Sequence, residues 1–311
     1  MNQLLNNIKG YLFAALAAAA YGTNPVFAIP LYSHGMNPNS VLIFRYLLGL
    51  PILVAIMLIR GMSFRLKRQE ILQIFILGCL MALSSLTLFE SYNYINSGIA
   101  STLLFVYPVM VAVLMIFFFH EKLKMSILIC LIIMAAGIYF LMKPQNGIAL
   151  DKYGCLLVMM SALTYSLYIV MVNVSKSIKT VPTTKLLFYV LLFGSFVFIF
   201  MFLIGSELTL PEIGTDWINL VALALIPTVI SLAFTTMAIH LIGSTPTAIL
   251  GALEPVTALI LSVLVLNQTI SPRDLMGCGL IVVATTIVVC SHQVDHLILH
   301  IRKMFPKHLL R

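Results

Sequence analysis

The chain alternates long apolar runs with short polar links, and the runs have the length of membrane crossings. About 20 consecutive apolar residues cross the hydrocarbon of a bilayer as one α-helix. Runs of that kind are read at 11–33, 38–60, 70–94, 98–119, 124–142, 153–175, 183–206, 216–242, 245–266 and 272–292. Each stops at a charge, a Pro or Gly, or a polar cluster. Links such as Ile95 to Ser97 and Gly243 to Thr245 are so short that neighbouring helices must run antiparallel. The pattern predicts an all-α integral membrane protein of ten transmembrane helices. The longest links hold about ten residues, too few to bury a core of their own.

Composition agrees with the pattern and narrows the function. Of the 311 residues, 61% are hydrophobic and 9% are charged, with a mean hydropathy of +1.08. Soluble domains carry about a quarter charged residues, so the composition excludes disordered and disulfide-scaffold classes and argues against a soluble enzyme. The five cysteines, Cys79, Cys130, Cys155, Cys278 and Cys290, fall inside apolar runs with no C-x-x-C pair. They read as buried small hydrophobes rather than as zinc ligands or disulfides. No cofactor is expected.

The net charge of +8 would point to nucleic acid if it formed a stripe with interleaved aromatics. Instead the Lys and Arg residues sit in short patches such as Arg60, Arg65, Lys67 and Arg68. They act as topology signals under the positive-inside rule. With a cytoplasmic N-terminus, fourteen of the 18 fall inside and only Lys143, Lys152 and Arg273 fall outside, Arg45 lying within a span. Both termini are therefore expected in the cytoplasm, with the chain in the cytoplasmic (inner) membrane. The small residues Ala18 to Ala20 resemble a signal-peptide cleavage site, but that segment has a partner later in the chain and is read as a retained span.

The partner emerges on sliding the chain against itself. An offset of 144 pairs Gly10 with Gly154, Tyr21 with Tyr165 and Pro38 with Pro182. An offset of 147 pairs Ser97 with Ser244, Pro108 with Pro255 and Val109 with Val256. A three-residue insertion before the eighth run reconciles the two. The reading is a duplication: a first repeat over 1–147, a second over 148–292, and a basic amphipathic cytoplasmic tail over 293–311. Five spans is an odd number, so the second copy enters the membrane inverted, an architecture of secondary transporters.

The repeats also carry a resemblance. The first contains Tyr107-Pro108, an apolar run into His120-Glu121-Lys122-Leu123, and a span ending near Gly137. The second contains Glu254-Pro255-Val256 and Leu275-Met276-Gly277 before its last span. With Arg45 in the second span and Ala18 to Gly22 in the first, the chain resembles the drug/metabolite transporter superfamily, in its EamA-type ten-helix branch. It departs where Asn267-Gln268-Thr269-Ile270 replaces a Glu-containing turn and where Ala284 replaces a Gly. The resemblance implies export of small amphipathic metabolites, with amino acids and their relatives first. An organic-anion or nucleoside-like exchanger is a second reading, and a membrane assembly partner without transport a third.

Ionisable groups at membrane depth cost about 2.5–3.5 kcal/mol on insertion scales, so each needs a reason. Arg45 and Glu90 share a depth near the outer side. They form either a structural ion pair, or a site in which Arg45 holds a substrate carboxylate or phosphate from the cavity wall. Glu254 precedes a helix-kinking proline. It would bind a substrate amine, carry a coupling proton, or serve as a hydrogen-bonded structural group. Tyr21 and Asn24 flank an interruption at Asn24-Pro25, and Tyr165 and Tyr168 occupy the matching helix. With Asn93 and Tyr107 they complete the candidate substrate-binding set. His292, His296 and His300 lie on one helical face of the tail and read as membrane-surface rather than metal-binding residues. No Walker A, G-x-S-x-G or H-E-x-x-H motif occurs, which argues against an ATP-driven pump or an embedded hydrolase. The expected partners are a small-molecule substrate and the lipid bilayer, with no nucleic acid. Without an obvious G-x-x-x-G face, monomer and homodimer both stay open.

Overall fold

Backbone N–H and C=O groups have no water to bond in hydrocarbon, so a spanning run must satisfy them within itself as a helix. A computed structural model describes residues 2–120, 125–142, 151–212, 214–242, 247 and 250–289, and its regular structure is entirely helical. The helices are α1 (Asn2–Gly22), α2 (Asn24–Ser33), α3 (Pro38–Ile59), α4 (Arg68–Ser91), α5 (Ser97–Leu104), α6 (Tyr107–Phe119) and α7 (Met125–Met142). They continue with α8 (Lys152–Val174), the short α9 (Lys176–Lys179), α10 (Thr183–Leu203), α11 (Gly214–Ala224), α12 (Ser231–Ile242), α13 (Leu253–Leu264) and α14 (Pro272–Val289). A π-helical segment, Leu225–Ile230, joins α11 to α12.

Helix starts follow side-chain capping, in which a polar side chain accepts from an otherwise orphaned N–H. Asn37 accepts from the Ser40 N–H at 2.8 Å to open α3, and Asp151 from the Gly154 N–H at 2.8 Å to open α8. Asn96 does the same for α5 with the N–H groups of Gly98 and Ile99. The turn Asn267-Gln268 binds that same end of α5, since the Gln268 Oε1 accepts from the Ser97 N–H and hydroxyl.

Seven helical stretches among the described residues are long and apolar enough to cross a membrane. They are Asn6–Ser33, Pro38–Ile59, Arg68–Ser91, Ser97–Phe119, Lys152–Val174, Thr183–Leu203 and Gly214–Ile242. The other three of the ten predicted runs are also helical among the described residues. They are α7 with 18 residues, α13, and α14, which carries Arg273 and Asp274 in its first turn. In addition the first, fourth and eighth runs are interrupted, and α13 begins only at Leu253. The loop residues Glu121 to Leu123, Lys143, Ser244, Cys290 and the tail histidines fall outside the described residues.

Packing brings the early and late parts of the chain together. α1 lies on α12 and α13, α4 on α8 and α10, α3 on α10 and α11, α5 on α13, α6 on α8, and α7 on α14. Without a hydrophobic drive between helices in lipid, close approach relies on small residues and interhelical hydrogen bonds. The Ser84 hydroxyl donates to the Ser161 carbonyl at 3.0 Å, and the Ser161 hydroxyl returns a bond to the Ser84 carbonyl at 2.7 Å. At the α4–α10 crossing two glycines face each other: a Cβ on Gly78 would stand 2.9 Å from the Phe193 Cβ and 3.0 Å from the Gly194 nitrogen. Gly137 and Gly277 meet in the same way between α7 and α14.

These contacts generate a prediction. Gly78→Val should destabilise the detergent-solubilised protein by about 1–3 kcal/mol, because backbone rather than a flexible side chain stands in the way. Gly279→Ala, whose Cβ meets nothing within 4 Å, should be neutral or stabilising by up to about 1 kcal/mol through helix propensity. Thermal unfolding checks both. Equal melting of Gly78→Val and wild type would mean that close approach does not hold α4 to α10.

Candidate functional site

Four interruptions in the apolar runs fall around one internal space, and three are built by the same chemistry. Proline has no N–H, so it leaves the carbonyl four residues earlier without its helical donor. Pro25 frees the Tyr21 carbonyl, and the Asn24 Nδ2 donates to it at 2.8 Å. Pro227 frees the Leu223 carbonyl, which takes the Thr228 hydroxyl at 3.3 Å. Pro255 frees the Gly251 carbonyl, which takes the Glu254 N–H at 3.0 Å. At the fourth interruption, between α5 and α6, side chains of other helices supply the donors: Thr285 to the Phe105 carbonyl and Ser166 to the Tyr107 carbonyl, both at 3.1 Å.

Residues beside these breaks line two adjoining compartments. The larger, about 480 Å³, has Tyr21, Tyr107, Tyr165, Thr247, Gly251 and Glu254 on its walls. The smaller, about 240 Å³, holds Arg45, Tyr46, Ser85, Tyr168, Pro227 and Thr228. Tyr21, Tyr165, Ser231 and Thr235 border both. The walls are mainly aromatic and aliphatic with few polar groups, the usual make-up of a small-molecule cavity. Tyr107 meets Tyr165 edge to face at 4.8 Å, and Tyr165 stacks on Tyr168 at 6.0 Å.

Arg45 is the buried cation of this space, with 7% exposure. Its Nε donates to the Thr228 hydroxyl at 3.2 Å, and its guanidinium lies 5.5 Å from the centre of the Phe89 ring. Among the described residues it forms no ion pair. Glu254 stands in the first turn of α13, immediately before Pro255. The cavity therefore carries a guanidinium in one compartment and a carboxylate in the other, with Tyr21 bordering both.

Of the nine sequence-predicted site residues, six line this cavity: Tyr21, Arg45, Tyr107, Tyr165, Tyr168 and Glu254. Three do not. Glu90 lies in the last turns of α4 and lines a different pocket with Asn39, Thr87 and Ser206, so the expected Arg45–Glu90 pairing is corrected. Asn93 was placed one helical turn beyond Glu90, but α4 ends at Ser91 and leaves Asn93 exposed in a turn. Asn24 is buried at 4% exposure and spends its amide on the Tyr21 carbonyl. It supports the break without lining the cavity. Thr228, Ser231, Thr235 and Phe89 were missed. Pro227 was the available signal for Thr228, whereas hydroxyls are common enough in membrane helices to pass unnoticed.

The environment of Arg45 makes a testable distinction. A buried charge without a charged partner costs desolvation that packing does not return. Arg45→Met, of similar length, should therefore melt at or above the wild-type temperature in detergent. A large loss of thermal stability would instead assign Arg45 to holding the fold.

Comparison with known proteins follows the same lines. The sequence model of the EamA-like transporter family matches twice, over residues 8–143 and 152–290. No curated protein matches the chain. Among solved structures, the crystal structure of one protein aligns with a TM-score of 0.59. It shares 18% identity, over 92% of this chain and 96% of its own, and shows a similar fold. The two family matches cover most of the sequence, and the chain belongs to the EamA-like transporter family, a family of multi-pass membrane transporters of the drug/metabolite type.

Proposed function

We propose that the protein is a secondary active transporter of small zwitterionic metabolites, amino acids or their relatives first, working by alternating access across the cytoplasmic membrane. The observation that carries this reading is the shared cavity, with the Arg45 guanidinium in one compartment and the Glu254 carboxylate in the other. Arg45 would hold a substrate carboxylate through two parallel N–H donors. Glu254 would accept from the substrate amine or carry a coupling proton. The tyrosines supply flat apolar walls with a polar edge for the remainder of the solute. Export is the direction that the family resemblance suggests, with both termini in the cytoplasm.

Alternating access needs two halves that rock about the site, and we read the chain as two inverted five-helix repeats, 1–147 and 148–292, making ten spans. Several independent details support that reading. The Ser84 hydroxyl bonds the Ser161 carbonyl at 3.0 Å, and the Ser231 hydroxyl bonds the Ala17 carbonyl at 2.9 Å. By the sequence offsets, Ser84 corresponds to Ser231 and Ala17 to Ser161, so these are one bond seen from each half. Likewise Ser166 touches the Tyr107 carbonyl, while its counterpart Gly22 lies so close to the Glu254 carbonyl that a Cβ would stand 2.7 Å away. The two non-glycine residues with positive φ among the described residues, His120 at 52° and Asn267 at 53°, are also counterparts. Helix contacts obey the same exchange: α1 on α12 mirrors α8 on α4, and α1 on α13 mirrors α8 on α6.

The test is counterflow in proteoliposomes preloaded with a panel of amino acids and metabolites. Zwitterionic compounds should exchange, and Arg45→Ala and Glu254→Gln should each reduce exchange about tenfold or more, the scale of one lost charge-assisted contact. Both variants should remain monodisperse. Activity confined to anions and untouched by Glu254→Gln would replace the zwitterion by an organic anion. A folded protein that moves no compound of a broad panel would overturn the transport reading.

A further inference from the structure

Glu90, set apart from the central cavity, belongs to a second pocket with its own chemistry. About 270 Å³ is lined by Asn39 of α3, by Leu86, Thr87 and Glu90 of α4, by Leu157 of α8, by Met201 of α10 and by Ser206 just beyond α10. The polar groups on this wall present lone pairs and no positive charge. The Glu90 carboxylate takes no hydrogen bond and no ion pair among the described residues. Thr87 has already donated its hydroxyl hydrogen to the backbone carbonyls of Leu83 and Ser84, at 2.9 and 3.2 Å, so its oxygen is left to accept.

Asn39 is the most telling member. It is 6% exposed, its Nδ2 is committed to the Phe198 carbonyl at 3.3 Å and the Ser206 hydroxyl at 3.5 Å, and its buried Oδ1 has no partner. A buried acceptor without a donor costs about 1–3 kcal/mol, and Asn39 is among the residues that line the pocket. An ammonium group is all donor, with three N–H bonds to give and no lone pair. Carboxylate, amide and hydroxyl oxygens match it in number and in sign. Leu86, Leu157 and Met201 form an apolar wall for a short alkyl chain, which a bare metal ion would leave unused.

We propose that this pocket is a second ligand site, separate from the central cavity, that binds the ammonium group of a small organic amine against Glu90 and Asn39.

The probe is n-butylammonium chloride, added to the purified full-length protein in detergent while thermal unfolding is followed. It should stabilise saturably, whereas sodium chloride at equal ionic strength and sodium butyrate should not. Glu90→Gln and Asn39→Ala should each weaken the apparent affinity about tenfold or more. Ser206→Ala lies outside the helices, so it tests the site even if Asn39→Ala disturbs the start of α3, and it should weaken binding severalfold. Arg45→Ala and Glu254→Gln should leave the response intact. Equal stabilisation by sodium chloride would assign the pocket to a metal cation and overturn the proposal. So would a response lost in Glu254→Gln but kept in Glu90→Gln, which would put the amine in the central cavity, or no response in the wild type.

Discussion

A backbone carbonyl inside a membrane must find a donor within the protein, and this fold is arranged around the places where proline removes one. Pro25, Pro227 and Pro255 each leave a carbonyl bare in an otherwise apolar run. The repairs are local: the Asn24 amide, the Thr228 hydroxyl and the Glu254 N–H. Each repair interrupts the regular helix and turns polar side chains toward the interior instead of the lipid. The cavity lies where those interruptions meet, because only there does broken backbone have protein rather than lipid around it.

The same economy explains where the charges stand. Thr228 repairs the carbonyl that Pro227 frees and accepts from Arg45 with the same hydroxyl. The π-helical segment that holds it is therefore both a repair and a seat for a guanidinium, and such bulges often occur at functional sites. Among the described residues Arg45 gains this one hydrogen bond and the face of Phe89, less than a buried guanidinium with five donors could use.

Around the cavity, helices meet through small residues and reciprocal serine bonds rather than bulky interdigitation. Facing glycines bring α4 to α10 and α7 to α14 at near-backbone contact. Such interfaces let backbones approach closely where no hydrophobic drive separates helix from lipid. Buried aromatic pairs add local stiffness where the cavity wall must keep its shape, as with Tyr46 on Phe198 at 4.9 Å.

Composition and apolar run length alone determined that this is a multi-pass helical membrane protein, because so much apolar surface has no other home than lipid. Proline also located the breaks at Asn24-Pro25 and Glu254-Pro255, since it acts on its own helix and needs no knowledge of the neighbours. An expected depth can be counted along one helix in the same way. Azimuth cannot. Arg45 and Glu90 are expected at one depth, yet they face different pockets, and Asn93 drops out of the site because α4 ends two residues before it. Which side of a helix looks inward depends on its rotation against its neighbours. In runs that are hydrophobic all round, no amphipathic stripe records that rotation. Only the packing of α4 between α8 and α10 decided that Glu90 would leave the central cavity and join Asn39.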